Sequence, residues 1–289
     1  MRVCLMVEGQ EGVTWAQWLA LARACEEAGL EGLFRSDHYL SILRGGESGS
    51  LDAWATTAAL AARTERIRLG TLVSPVTFRH AAVLAKSATT AQEISGGRIE
   101  LGMGAGWYEA EHHAYGFDFP RVGRRMDELE RQLETVTRHW DDDPRVWPKP
   151  VSRPRLLVGG SAKPRTVGAA VRFADEYNTT FASPEECRER RGRVDAAARE
   201  AGRGPLTFSL MAGAVVGSDR DEAEKRLGRW REVTGRDDQS PHVTGTLEEA
   251  AERLRAYEAA GVERVMLQHL VHEDVEMVHL LGELARAVA

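Results

Sequence analysis

Short apolar runs alternate with amphipathic helical patterns along the chain. Apolar runs of four to eight residues between turn signals are typical of buried strands, and apolar positions three and four residues apart are typical of helices. The pattern predicts strands at residues 2–7, 32–35, 67–72, 98–103, 155–158, 176–179, 206–216 and 264–268. It predicts helices at residues 14–28, 51–64, 80–95, 123–140, 163–173, 184–201, 219–233 together with 247–260, and 274–288.

This alternation predicts an α/β fold, a single (β/α)8 TIM barrel over residues 1–289, because eight strands close a parallel barrel. Two helix-to-strand joints repeat an Ala-Gly pair, at Gly29 and Gly261, where glycine suits the left-handed cap that ends a helix. The alternative is a doubly wound open sheet, which expects Gly-x-Gly-x-x-Gly directly after the first strand. Residues 7–13 match that motif poorly, so the barrel is favoured.

Composition limits the classes of partner. The formal net charge is -6 with both signs interspersed, so no basic stripe indicates nucleic acid. The sequence predicts neither a signal peptide nor a membrane-spanning segment. Three separated cysteines match no disulfide framework and no zinc spacing. We therefore expect a cytoplasmic protein that acts on a small molecule and binds neither nucleic acid nor membrane.

Candidate chemistry lies where the predicted strands end, because ligands of parallel barrels gather at the carboxyl ends of the strands. Asp37 and His38 directly follow the second strand. A catalytic role is the first interpretation, and a helix cap or turn is the alternative. Gly102, Gly104 and Gly106 alternate at the end of the fourth strand, where glycine indicates a bulge or a close approach by another group. A flat ring lying on bare backbone would use such a gap, with Trp107 beside it.

Gly159 and Gly160 follow the fifth strand and lead into a helix that Ser161 is expected to cap. Exposed amide groups at a helix start favour an anion such as a ligand phosphate, although an ordinary strand-to-helix turn also favours glycine. His269 and His272 border the eighth strand and either face the barrel mouth or meet solvent. The histidines show no zinc spacing, so no metal site is expected.

Several stretches of the first 180 residues together resemble the bacterial luciferase-like superfamily, in particular its branch that uses the 5-deazaflavin coenzyme F420. They are residues 34–39, 52–55, 67–75, 77–80, 95–107, 158–160 and 174–178. The resemblance implies a TIM barrel that holds a flavin or deazaflavin at its carboxyl face. It also implies a non-proline cis peptide near Leu72-Val73 and a homodimer, for which Trp18 or Trp54 could serve the interface or the core.

The resemblance further implies an oxidoreductase that transfers hydride between coenzyme F420 and a small organic substrate. His38 would donate or accept a proton, and Asp37 would orient His38 or bond the ring. The cofactor-binding residues would be Asp37, His38, Leu72, Val73, Ser74, Gly104, Gly106, Trp107, Gly159, Gly160 and Ser161. The alternatives are an FMN-dependent monooxygenase that uses reduced flavin and O2, and a barrel that binds flavin or deazaflavin without catalysis.

One departure concerns the loop before the fifth strand. Relatives usually carry a longer loop there, which covers the active site, whereas this chain has only residues 141–155, rich in Pro and Asp. The pocket is therefore expected to be open, or to be closed by another segment.

Overall fold

Eight parallel strands close into a barrel in the computed structural model, which describes residues 1–43 and 48–289. The hydrogen-bonded order around the barrel is β1-β2-β3-β4-β5-β6-β7-β9, and β9 pairs again with β1. A short ninth strand, β8, pairs with the far end of β7. The strands are β1 Arg2–Val7, β2 Gly32–Arg35, β3 Arg68–Pro75, β4 Ile99–Gly104, β5 Arg155–Gly159, β6 Glu176–Thr180, β7 Thr207–Gly217, β8 Val243–Thr246 and β9 Arg264–His269.

Helices surround the barrel. They are α1 Trp15–Ala28, α2 Ala53–Ala61, α3 Ala81–Ser95, α4 Glu109–Tyr115, α5 Val122–Asp141, α6 Pro164–Phe173, α7 Pro184–Glu200, α8 Arg220–Thr234, α9 Leu247–Ala259 and α10 Val275–Ala287. Side chains fix several starts: Thr14, Ser183 and Thr246 each form a capping box with a Gln or Glu three residues on. Gly29 ends α1 in the left-handed conformation, as its sequence position predicts.

The predicted TIM barrel is confirmed, with two elements that the sequence pattern missed. β8 lies between α8 and α9, where only two consecutive helices were predicted, because a four-residue Val-Thr-Gly-Thr run carries too little apolar periodicity to register. α4 was also missed, since it spans only seven residues. Both elements lie at the carboxyl end of the barrel.

The main core fills the layer between barrel and helices, and it includes Trp18 and Trp54, whose side chains are buried within the chain. A smaller apolar cluster fills the barrel itself. It includes Met6, Phe34 and Met266, which point inward because strand side chains alternate between the two faces. The two tryptophans therefore serve the core of this chain.

Charged side chains close the amino end of the barrel. Arg264, at the start of β9, is fully buried and donates to Glu100 at 2.7 Å and to Glu176 at 3.0 Å. Arg68 also donates to Glu100, and Arg155 donates to Glu176 at 3.2 Å. We call these five residues the Arg264 cluster. Burial raises the pKa of Glu100, but the two arginines outweigh it and lower that pKa overall.

The segment 142–154 lies at this same amino end. Ser152 accepts from Gln92 near the end of α3, and Ser152 lies beside Gly97, just before β4 begins. Segments that join a helix to the next strand are at the amino end of a barrel, opposite the ligand face. The segment therefore does not cover the pocket, as its short length indicated, and residues of other segments line the mouth.

Candidate active site

A cavity of about 810 Å³ opens at the carboxyl end of the barrel. Its volume falls within the range of small-molecule and cofactor sites. Eight of the predicted site residues line it, namely His38, Leu72, Val73, Gly104, Gly106, Trp107, Gly159 and Gly160. Asp37, Ser74 and Ser161 lie outside the lining that the described residues form.

One wall of the cavity is a bulge in β3. The Leu72-Val73 peptide bond is cis, at the position that the family resemblance implied, and the pairing of β3 with β4 shifts register between Thr71 and Ser74. Val73 lies directly over the glycines of β4, where a Cβ on Gly104 would be 2.6 Å from Val73 Cγ2. A Cβ on Gly102 would collide with the carbonyl oxygen of Thr71. The alternating glycines therefore make room for the bulge.

The floor of the cavity beside Val73 is backbone with little side chain. Gly104 ends β4 and is followed by Ala105 and Gly106, and Gly159 ends β5 and is followed by Gly160. Backbone without side chains allows a flat ring to approach closely. This floor and the volume above it suit a tricyclic ring of the flavin or deazaflavin kind.

His38 lies at the rim of this floor and is oriented by a buried carboxylate. Its Nδ1 is 2.7 Å from Glu111 Oε1, while the amide of Tyr39 donates to Glu111 Oε2 at 3.0 Å. Glu111 lies on α4 and is 1% exposed. Burial by itself lowers the pKa of His38, but the hydrogen bond and charge of Glu111 outweigh it, so this pKa is raised. The edge of the Trp107 ring packs against the imidazole, with centroids 5.6 Å apart.

The predicted role of Asp37 in orienting His38 is wrong, because Glu111 makes that contact. The Asp37 carboxylate is buried behind the lining and accepts from Ser74 Oγ at 2.6 Å and from Arg79 Nη1 at 2.6 Å. Ser74 in turn accepts from Trp54 Nε1 at 3.1 Å. Asp37 and Ser74 therefore support the wall from behind. Neither of them lines the cavity in which the cofactor is predicted to bind.

The turn after β5 also differs from its prediction. Lys163 is the N-cap of α6, so Ser161 does not cap it, and Ser161 is exposed. Two amides of the turn are already paired: Gly160 donates to the carbonyl of Asn178 at 2.9 Å, and Ala162 donates to Tyr177 Oη at 2.7 Å. The turn therefore has fewer free donors for an anion than its glycines indicated.

Sequence reasoning missed several polar residues of the cavity. Glu8, Gln10 and Glu11 follow β1, and Gln268 belongs to β9, whereas the predicted site residues lie at the ends of the second to fifth strands. Glu11 accepts from the amides of Ile42 and Leu43 at 2.9 and 3.2 Å, which fixes those apolar side chains on the cavity wall. The sequence offers one indication of these residues, namely that each lies at or just after the end of a strand.

His269 and His272 do not belong to the described lining of the cavity. Both are buried, and His269 Nε2 is 3.1 Å from the carbonyl oxygen of Asp274. Burial lowers the pKa of His269 to about 4.

Over residues 1–43 and 48–289, no group of three or more His, Cys, Asp or Glu side chains has metal-binding geometry. The helices of the same residues include none long and apolar enough to span a membrane.

The sequence matches the luciferase-like monooxygenase family over residues 3–283, so this chain belongs to that family. It is 27% identical over 274 residues to an F420-dependent hydroxymycolic acid dehydrogenase of Mycobacterium tuberculosis, which covers 89% of this chain and 72% of the relative. It is 30% identical over 199 residues to a phthiodiolone/phenolphthiodiolone dimycocerosates ketoreductase of a Mycobacterium species, over 61% of this chain. That alignment spans about half of the relative, 51% of its length.

A second relative named for coenzyme F420 is an F420-dependent glucose-6-phosphate dehydrogenase of Amycolatopsis mediterranei. It is 34% identical over 120 residues, which are 41% of this chain and 35% of the relative. The relatives named for F420 confirm the resemblance to the F420-dependent branch. The fold is shared with an F420-dependent secondary alcohol dehydrogenase solved with an F420-acetone adduct, at a TM-score of 0.85, 19% identity and 100% and 99% coverage. It is also shared with the FMN-bound oxygenating component of a Pseudomonas putida diketocamphane monooxygenase, at a TM-score of 0.79, 16% identity and the same coverage.

Proposed function

We propose that this protein is an oxidoreductase that transfers hydride between bound coenzyme F420 and a small organic substrate, with His38 as the proton donor or acceptor. The observation that carries the proposal is an imidazole at the rim of a bare backbone floor, hydrogen-bonded through Nδ1 to a buried carboxylate. The relatives named for F420 support the choice of a deazaflavin.

The residues present suit the proposed coenzyme. When bound, a deazaflavin supplies the carbon that carries the hydride. Val73 would support the ring from behind, and the backbone of Gly104, Gly106 and Gly159 would lie along it. Trp107 and Leu43 would restrict the access of water, since both line the cavity beside His38 and Glu11.

The proton chemistry belongs to His38. A carboxylate only accepts, so Glu111 assigns a proton to Nδ1 and leaves Nε2 as the nitrogen that exchanges a proton with the substrate. A group with a pKa near the working pH serves as acid and as base, and an imidazole is such a group. Glu111 raises the pKa of His38, which favours the protonated ring. Glu111 acts through His38 and is a positioning residue.

Replacing His38 with Ala tests the proposal. General acid–base groups contribute about 10²–10⁴-fold to rate, so turnover with F420 should fall by that factor, measured over a panel of alcohols and carbonyl compounds. The Kd for the coenzyme should stay within about threefold, because the ring lies on backbone. His113→Ala is the matched control, since His113 is exposed on the same helix as Glu111. Equal turnover of His38→Ala and wild type would rule out the proton role.

An FMN-dependent monooxygenase that uses reduced flavin and O2 is the second candidate, favoured by the name of the family and by the fold shared with an FMN-bound monooxygenase. A bare floor accepts either tricyclic ring, so comparative binding of F420 and FMN separates the two. Binding of one coenzyme without turnover on any compound of the panel would favour a barrel that binds its cofactor without catalysis.

A further inference from the structure

The wall opposite the glycine floor carries a carboxylate, Glu8, whose hydrogen-bond donors are neutral amides. In the ring of eight strands β9 stands across the barrel from β4, and β1 stands across from β5. Gly104 and Gly159 end β4 and β5, whereas Gln268 belongs to β9 and Glu8 directly follows β1. A ring that rests on the glycines therefore turns its free face toward Glu8 and Gln268. A substrate that exchanges hydride with that face lies against this wall.

Neutral amides hold the Glu8 carboxylate in place. Gln268 Nε2 donates to Oε1 at 2.7 Å, and Gln10 Nε2 donates to Oε2 at 3.0 Å. Gln10 is itself fixed, because its side-chain oxygen accepts from Ser36 Oγ at 2.5 Å and Ser36 Oγ accepts from the amide of Gly9. Each carboxylate oxygen has a second lone pair, so Glu8 keeps capacity to accept from a ligand. The amides orient the charge without neutralising it.

The other charged groups of the cavity leave this wall negative. Glu11 is a second carboxylate, engaged by the loop amides. A protonated His38 interacts first with Glu111 and also with Glu8, so one positive charge faces three carboxylates. The lining also includes Arg236, which is exposed in the segment between α8 and β8, where water and salt screen its charge. Apolar side chains of Ile42, Leu43 and Leu270 complete the substrate side.

We propose that the substrate is uncharged or cationic at the end that enters the cavity, and that a hydroxyl or protonated amine of the substrate donates to Glu8. Compounds with a phosphate or carboxylate at that end are rejected, because two negative charges held together in a half-buried site repel. This assigns substrate discrimination to Glu8 and rests on the proposed function.

Three probes with one ring and different charges test the assignment: cyclohexylammonium, cyclohexanol and cyclohexanecarboxylate. Their binding is measured by calorimetry at one pH, with apo protein and with protein loaded with oxidised F420. Like charges cost several kcal/mol, so the ammonium and the alcohol should bind at least about tenfold more tightly than the carboxylate. Glu8→Gln should reduce the gap between ammonium and carboxylate to about threefold or less, since it removes the charge and keeps a polar partner.

Two further variants control the experiment. Glu252→Gln makes the same change of net charge on the exposed surface of α9 and should leave the discrimination unchanged. Glu8→Asp keeps the charge and should retain the order of the three probes. A carboxylate probe that binds wild type as tightly as the ammonium, or a gap that persists in Glu8→Gln, overturns the assignment. Failure of F420 to bind would instead contradict the proposed function. The titrations of the apo protein would still test whether Glu8 discriminates between the charged probes.

Discussion

The two ends of the barrel both contain buried carboxylates, but their partners differ. At the amino end, Arg264 lies between Glu100 and Glu176, and each of these carboxylates also has a second arginine. At the carboxyl end, Glu111 pairs with an imidazole and Glu8 pairs with side-chain amides. The amino end is filled, whereas the carboxyl end encloses a cavity.

The difference shows that the partner of a buried carboxylate, rather than its burial, distinguishes a structural role from a chemical one. A guanidinium stays protonated near neutral pH, so the arginines of the Arg264 cluster are fixed charges that hold the two buried carboxylates in place. We propose that the imidazole held by Glu111 exchanges a proton with the substrate, and that the carboxylate held by amides accepts a hydrogen bond from it. The same residue types therefore stabilise one end of the barrel and equip the other for chemistry.

Replacing Arg264 with Met should have the largest effect on stability. Removing one partner of a buried ion pair costs about 3–5 kcal/mol, because the remaining charges lose their compensation. Urea unfolding should show this loss. Arg229→Met breaks the exposed pair of Arg229 with Glu273 and should cost about 1 kcal/mol or less. Equal losses in the two variants would contradict the view that the Arg264 cluster is structural.

His269 should make the protein sensitive to acid. Its folded pKa of about 4 lies below the ordinary value of 6.5, so the unfolded chain binds a proton that the folded chain does not. Stability should therefore fall as pH drops from about 6.5 to 4, by up to about 3 kcal/mol from this residue. The comparison of wild type with His269→Gln by urea unfolding at several pH values isolates the effect. Identical pH dependence in both proteins would show that His269 contributes nothing.

Glu111→Gln should lower the pKa of His38, because Glu111 raises that pKa in the wild type. Burial then acts with less opposition, so the pKa should fall. When the reaction runs in the direction in which His38 accepts a proton, its rate should rise with pH as the imidazole becomes neutral. In Glu111→Gln this rise should occur at lower pH than in wild type. NMR titration of the His38 ring measures the shift without turnover, and Glu109→Gln on the same helix is the control. An unchanged pKa in Glu111→Gln would mean that the hydrogen bond does not govern His38.

Much of this architecture could be predicted from the sequence, because local patterns carry it. The apolar runs predicted the eight barrel strands within a few residues, and the glycine-rich strand ends indicated the cavity floor. Glu111 could not be found in this way, since its contact with His38 joins residues 73 positions apart. Asp37 and His38 both follow β2, yet these two neighbours have different partners, Arg79 and Glu111, which adjacency in the sequence does not reveal.

The central claim, that bare backbone beside Val73 holds the ring of a deazaflavin, is tested most directly by a binding titration with three proteins. Coenzyme F420 and FMN are titrated into wild type, Gly159→Leu and Gly168→Leu, with ring fluorescence as the readout. Gly159 lines the floor, whereas a side chain on Gly168 of α6 would meet open space. The account predicts binding of F420 to wild type and Gly168→Leu at roughly micromolar Kd, tighter than FMN, and at least about tenfold weaker binding to Gly159→Leu. Equal binding by all three proteins, or no binding of either coenzyme, would contradict it.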